Sequence, residues 1–209
     1  MKLVTAVTCV LLVVVPSGLT AQTVSFGIHG VFATHTEIAE DRESDGIGVG
    51  GKISLRFGRF AIEAEGFRVA VEPDAAGASS FDIVQGDVRA SVLLAHPISL
   101  EVSVGARSID PEFAAQRVGF AGIGLRAESP LTALATTWVR GAYLVKTEFS
   151  GGGETGAAFE FGFGTAVGTP NKRFQVVAES KFQRIDRTVG GIEVPIQLTV
   201  VRFGVEVGF

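Results

Sequence analysis

Apolar and polar residues alternate most regularly over residues 194–209. Every second position on one side of this stretch is β-branched or aromatic: Val201, Phe203, Val205, Val207 and Phe209. The positions between them are small or charged: Arg202, Gly204, Glu206 and Gly208. A period of two predicts an extended strand with one apolar face and one polar face.

The same alternation recurs along the chain and predicts ten strands. They cover residues 23–34, 46–57, 60–71, 81–94, 98–108, 117–127, 131–149, 156–168, 173–185 and 194–209. Breaks of two to four residues, such as Gly58-Arg59, take turns with loops of six to eleven residues, such as 35–45. This asymmetry is typical of membrane barrels with short turns at one end and longer loops at the other. Eight strands would result if two weak strands merged.

The length and polarity of the strands favour a closed transmembrane barrel over a soluble one. A tilted membrane strand needs about 9–11 residues, whereas soluble strands are commonly about 5–6 residues long. Backbone groups in hydrocarbon must all be paired, which for strands requires closure. The alternative is a soluble, lipocalin-like ligand-binding barrel, in which the apolar faces would point inward and the charged faces to water.

Fifteen charged residues share the polar faces and are predicted to lie in the lumen. Eight are positive and seven are negative: Lys52, Arg56, Glu63, Glu65, Asp87, Arg89, Glu101, Arg107, Arg126, Arg140, Glu160, Glu179, Lys181, Arg202 and Glu206. Opposite charges enclosed together are expected to form ion pairs, because an unpaired buried charge is costly. They predict either a filled, salt-bridged lumen or a narrow channel lined by the same groups.

Phenylalanines near the ends of the strands predict aromatic girdles at the two membrane interfaces. The chain has 16 phenylalanines but one tryptophan and one tyrosine, so phenylalanine takes most of the girdle positions. The turn end has Phe26, Phe57, Phe60, Phe174 and Phe209, and the loop end has Phe32, Phe81, Phe149 and Phe182.

Residues 1–21 are predicted to be a cleaved secretory signal, and residues 22–209 a single barrel domain. Lys2 precedes a mostly apolar stretch, residues 3–15, which is followed by Pro16 and Gly18. The single cysteine, Cys9, lies in this segment, so the exported chain has no thiol chemistry or disulfides. The exported chain has 17 basic and 22 acidic residues, a net charge near −5, which argues against nucleic acid as a partner.

The signal segment, the alternation and the closing residues 201–209 (VRFGVEVGF) together resemble the small bacterial outer-membrane β-barrels of the OmpA-like and OmpX-like class. The resemblance implies a location in the bacterial outer membrane, contact with its lipid, and recognition by the barrel-assembly machinery. The assembly signal would be Val201, Phe203, Val205, Val207 and Phe209. The class leads us to expect a structural role or passive passage of small solutes, with a monomer favoured.

The sequence does not favour an enzyme, although some small barrels are lipid-modifying enzymes or proteases. His29 and Ser25 share a face but are about 13 Å apart along a strand, too far for a hydrogen bond. His35 is predicted to lie in an acidic, solvated loop, and His96 in a turn before Pro97. We therefore predict no catalytic residues, no metal and no cofactor.

Overall fold

The computed structural model describes residues 23–73, 79–110, 117–169 and 173–209. The predicted signal segment lies outside these residues. The described strands are β1 (Thr23–Glu37), β2 (Arg42–Phe57), β3 (Phe60–Pro73), β4 (Phe81–Ala95), β5 (Ile98–Asp110), β6 (Val118–Pro130), β7 (Ala135–Phe149), β8 (Glu154–Gly168), β9 (Phe174–Val189), β10 (Ile192–Glu193) and β11 (Ile196–Gly208). A single turn of 3-10 helix, Ile38–Glu40, separates β1 from β2.

The strands form a closed antiparallel barrel. Each long strand pairs with the next, and β11 pairs with both β9 and β1, which closes the sheet on itself. Ten strands of 13 to 16 residues make the wall. The two-residue β10 pairs with β9 as an extra strand. The predicted all-β, ten-stranded barrel is confirmed. Within the described residues, no helix has both the length and the apolar character to cross a bilayer.

The apolar faces point outward, as the alternation predicts. Phe203 on β11 is 65% exposed, and Ile28 on the neighbouring β1 is also exposed. On β2 the outward apolar positions run from Ile47 to Phe57, about eleven residues, which matches the ~9–11 residues of a tilted membrane strand. The soluble, lipocalin-like alternative is therefore wrong, since it requires these side chains to be buried.

Several strands extend further at the loop end than the sequence analysis predicts. Most of the predicted loop 35–45 is strand, because β1 and β2 stay paired up to Glu37 and Arg42. The outward side chains there are polar: Thr34 donates a hydrogen bond to Asp45 over 2.6 Å. The barrel wall therefore continues beyond the apolar belt.

The loop-end half of the interior contains large apolar clusters, which the sequence analysis did not predict, and buried polar residues that include His35, Ser44, Thr147 and Arg187. One cluster lines β1, β3, β4, β5 and β11: Val31, Ala33, Phe67, Val69, Val71, Phe81, Ile83, Ile109, Leu198 and Val200. A second lines β6 to β9: Val118, Phe120, Leu144, Ala158 and Ile185. We call these two groups the loop-side clusters.

The predicted orientations of Phe81 and Phe149, both assigned to the loop-end girdle, are wrong. Phe149 packs against the second loop-side cluster. Phe81 was expected in the outer girdle but is 9% exposed, and its ring packs edge-on against His35 with centroids 6.1 Å apart. It faces inward because the interior at that level is apolar.

Lys146 follows the inward-facing Arg140 by six residues, so strict alternation would turn it inward, but its side chain is 68% exposed. The pairing of β6 with β7 slips by one residue between Ala121 and Gly122. Beyond this slip, the inward and outward side chains of β7 exchange faces.

Candidate functional site

The predicted lumen charges meet in the middle of the barrel, where Arg89 joins three strands. Its guanidinium lies 2.9 Å from Asp87, 3.0 Å from Glu160 on β8 and 3.9 Å from Glu65 on β3. Lys181 on β9 contacts two of these three carboxylates: its Nζ lies 3.1 Å from Asp87 and 3.6 Å from Glu160. All five side chains are buried.

A second centre, nearer the turns, forms around Glu63. Lys52 lies 3.6 Å from its carboxylate, Arg126 3.4 Å and Arg140 3.9 Å. Arg140 also lies 3.9 Å from Glu179. This contact links the second centre to the rest of the lumen.

Arg202 completes the connection between the two centres. Its guanidinium contacts Glu65 and donates to Glu179 over 2.6 Å. Glu65 in turn contacts Arg89. The ion pairs therefore form one continuous set, which we call the lumen network.

The lumen network contains seven basic and seven acidic side chains. Its members are Lys52, Arg56, Glu63, Glu65, Asp87, Arg89, Arg126, Glu128, Arg140, Glu160, Glu179, Lys181, Arg202 and Glu206. Thirteen are among the fifteen residues predicted to lie in the lumen. Glu128 was missed because the sixth predicted strand ends at residue 127. Its position two residues after the inward-facing Arg126 is the signal that could have found it.

The other two predicted lumen charges are buried but lie outside the network. Glu101 and Arg107 both point inward from β5. The Arg107 guanidinium donates a 3.4 Å hydrogen bond to Gln183. The structure thus encloses all the predicted charges except Arg56, whose side chain is half exposed at the turn-end mouth.

A polar cavity of about 510 Å³ opens at the turn end of the barrel; we call it the vestibule. Lys52 and Glu63 of the network line its inner part, and Thr23 and Arg173 lie closer to its mouth. Trp138 forms one wall, with the Arg126 guanidinium 5.1 Å from the centre of its ring. The vestibule reaches the lumen network from one side.

Buried side chains line the lumen beyond the vestibule. The buried network comes first, followed by a layer containing Gln85, Arg107 and Gln183, and then the loop-side clusters. An apolar interior offers no hydrogen bonds to a hydrated ion or polar solute.

The three histidines lie at separate levels. His29 points into the lumen, where Gly50 leaves room for its ring because a Cβ at that position would collide with it. Gly204 leaves room for the Cα and Cβ of His29 in the same way. His35 is buried in β1 rather than in a solvated loop, and its Nε2 lies 3.7 Å from Glu37. His96 is exposed in the turn between β4 and β5. Among the described residues, no group of three or more His, Cys, Asp or Glu side chains is placed to hold a metal ion.

No protein-family model matches the chain, and no curated protein sequence matches it. Solved structures do match. The outer membrane protease OmpT from Escherichia coli is 12% identical, with 92% of this chain and 98% of that chain covered and a TM-score of 0.56. Neisserial surface protein A is 12% identical over 89% and 97% of the two chains, with a TM-score of 0.46. Ail of Yersinia pestis is 10% identical over 91% and 100%, with a TM-score of 0.41.

The wall, its outward apolar belt and the match to OmpT define the class: this is a transmembrane β-barrel. Its fold is that of the small bacterial outer-membrane barrels. At 12% identity the likeness concerns the fold alone.

Proposed function

We propose that this protein is a structural barrel of the bacterial outer membrane whose lumen is closed to solutes. The observation that carries the proposal is the sequence of layers inside the wall. Seven positive and seven negative side chains neutralise one another in the middle. The loop-side clusters then line the outer half. Passive solute passage, the other expectation from the sequence, would need a polar path through both.

The access of thiol reagents to introduced cysteines tests the closed lumen. The exported part of the chain has no cysteine, so an introduced cysteine is the one thiol in it that the reagent can label. We expect a small charged methanethiosulfonate reagent to label Ser150→Cys, an exposed site beside β7, from the loop side. Thr136→Cys, in the vestibule, should be labelled from the turn side, and Ala33→Cys, in a loop-side cluster, from neither. Labelling of Thr136→Cys from the loop side would show that solutes cross the lumen.

We also propose that the protein is not an enzyme. The separation of the three histidines supports this, since each lies in a different part of the barrel. Overexpression should leave the lipid A of the host unchanged, and the purified protein should not cleave model peptides. A modified lipid A species, or peptide cleavage lost on substitution of His35, would overturn this part of the proposal.

The proposed partners are outer-membrane lipid and the barrel-assembly machinery, with the barrel as a monomer. Support for assembly recognition is that Val201, Phe203, Val207 and Phe209 are exposed on one outward face of β11. Phe209 also packs edge-on against Phe26, with ring centroids 6.1 Å apart. We expect Phe209→Ser to reduce the amount of barrel assembled in cells several-fold. The inward substitution Gln175→Ser, in the vestibule near the same end, serves as control. Equal levels of the two variants would count against recognition through this face.

A further inference from the structure

Arg107 on β5 is a buried cation with little to neutralise it. The residue is 3% exposed, and its one hydrogen bond to a described residue goes from Nη1 to Gln183 Oε1 over 3.4 Å. Its Nε has no hydrogen-bond partner among the described residues. No described carboxylate lies within the 4.0 Å of an ion pair. A charge enclosed without a counter-charge is strongly destabilising.

Two glutamines provide further polar atoms at the same level. Gln85 on β4 is the direct cross-strand neighbour of Arg107 and is 2% exposed. Both its amide nitrogen and its amide oxygen lack a hydrogen-bond partner among the described residues. Gln183 accepts from Arg107 and donates to Glu160 over 3.4 Å. Buried polar groups are satisfied in nearly all proteins, so these unsatisfied atoms indicate a further ligand.

The described carboxylates elsewhere in the lumen do not neutralise the charge of Arg107. The lumen network is balanced by itself, with seven charges of each sign. Glu160 is already paired with Arg89 and Lys181, and reaches Arg107 only through the neutral amide of Gln183. Glu101, the buried carboxylate outside the network, is six residues away on the same strand, about 20 Å.

We propose that Arg107, Gln85 and Gln183 bind a small monovalent anion of the halide type. The guanidinium supplies the positive charge, and the Arg107 Nε–H and the Gln85 amide supply free donors. Apolar side chains border the layer: Phe67 is the cross-strand neighbour of Gln85, and Val118 that of Arg107. Chloride or bromide suits such a place because a divalent anion would cost far more to remove from water. A water molecule could accept the same hydrogen bonds but would leave the charge of Arg107 uncompensated.

Halide-dependent stability of the whole refolded barrel tests the site. We expect the urea midpoint of the wild type to rise and saturate as sodium bromide or chloride replaces sodium gluconate at constant ionic strength. Arg107→Gln should lose this response. Arg184→Gln removes a partly exposed arginine that pairs with Asp186 over 2.8 Å, so it should keep the response. A response equal in all three proteins would be a general salt effect and would overturn the proposal.

Two further measurements keep the test decisive if Arg107→Gln does not fold. Gln85→Leu retains the cation and removes one donor, so the bromide concentration at half-saturation should increase several-fold. Crystals of the wild type grown in bromide should show an anomalous peak in contact with Arg107 and Gln85. An unchanged half-saturation in Gln85→Leu, or density at this position without an anomalous signal, would overturn the proposal.

Discussion

Replacing Arg89 with methionine is expected to lower the free energy of unfolding by about 3–5 kcal/mol. Arg89 lies within 4 Å of Asp87, Glu160 and Glu65, and all four side chains are buried. Without it, three buried carboxylates share fewer cations. Removing one partner of a buried ion pair is costly for this reason, even where the complete pair contributes little.

Urea unfolding and refolding in lipid vesicles measures this change, with Lys146→Met as the matched control. Lys146 forms a 2.9 Å pair with Glu148 on the outer surface, where both side chains are well exposed. Exposed pairs contribute about 0–1 kcal/mol, so the same loss of a positive charge should hardly matter there. Similar destabilisation by the two substitutions would mean that the interior of the barrel is wet and that the ion pairs do not hold it together.

Replacing Val205 with arginine is expected to cost about 2–4 kcal/mol and to prevent most of the protein from folding into bilayers. Val205 is in the middle of the outward apolar row that runs from Val201 on β11 to Phe209, just after the strand ends. Its cross-strand neighbours, Ile28 and Val176, belong to the same apolar face. An arginine here would place its charge near the centre of the hydrocarbon.

Thr199→Arg is the control for this prediction. Thr199 lies on the same face of β11, six residues or about 20 Å nearer the loops. Its cross-strand neighbours are Thr34, which bonds to Asp45, and Phe182 of the loop-end girdle, so it lies at the membrane interface. The expected cost at such a position is about 0–1 kcal/mol, measured by the yield and stability of refolding in vesicles. If Thr199→Arg is as harmful as Val205→Arg, the apolar belt is wrongly placed.

The sequence was enough to predict the barrel, its ten wall strands and most of the enclosed charges. Each outward position in the belt contacts lipid, so it must be apolar whatever the rest of the chain does. Alternation is then a local signal that can be read residue by residue, as it is for Arg202 and Phe203. Charges on the other face can only point into the lumen.

The loop-side clusters could not be predicted from a single alternation because the inward face changes from charged to apolar along the strands. On β3, Glu63 and Glu65 face inward nearer the turns, and Val69 and Val71 face inward nearer the loops. The outward residue beside them, Arg68, is charged and exposed. The signal that was available is this reversal, since the period of two continues while the apolar side chains move to the opposite face.

Which residues pair within the lumen network could not be predicted from the sequence either. Arg89 and Glu160 are 71 residues apart, and they meet because of the width and stagger of the closed wall. The charge balance predicts that such pairs form but not which residues form them. The slip in pairing beside Gly122 is a local irregularity of the same kind, because it depends on the partner strand.

Single-channel recording in planar bilayers tests the closed lumen most directly. With the lumen network intact and the loop-side clusters packed, the purified wild-type barrel should insert and give no steady conductance steps at any applied voltage that the bilayer tolerates. Insertion is verified separately by protease protection, so that an absence of conductance cannot result from failed insertion. Reproducible unitary openings from the wild type would show a continuous aqueous path and contradict the account.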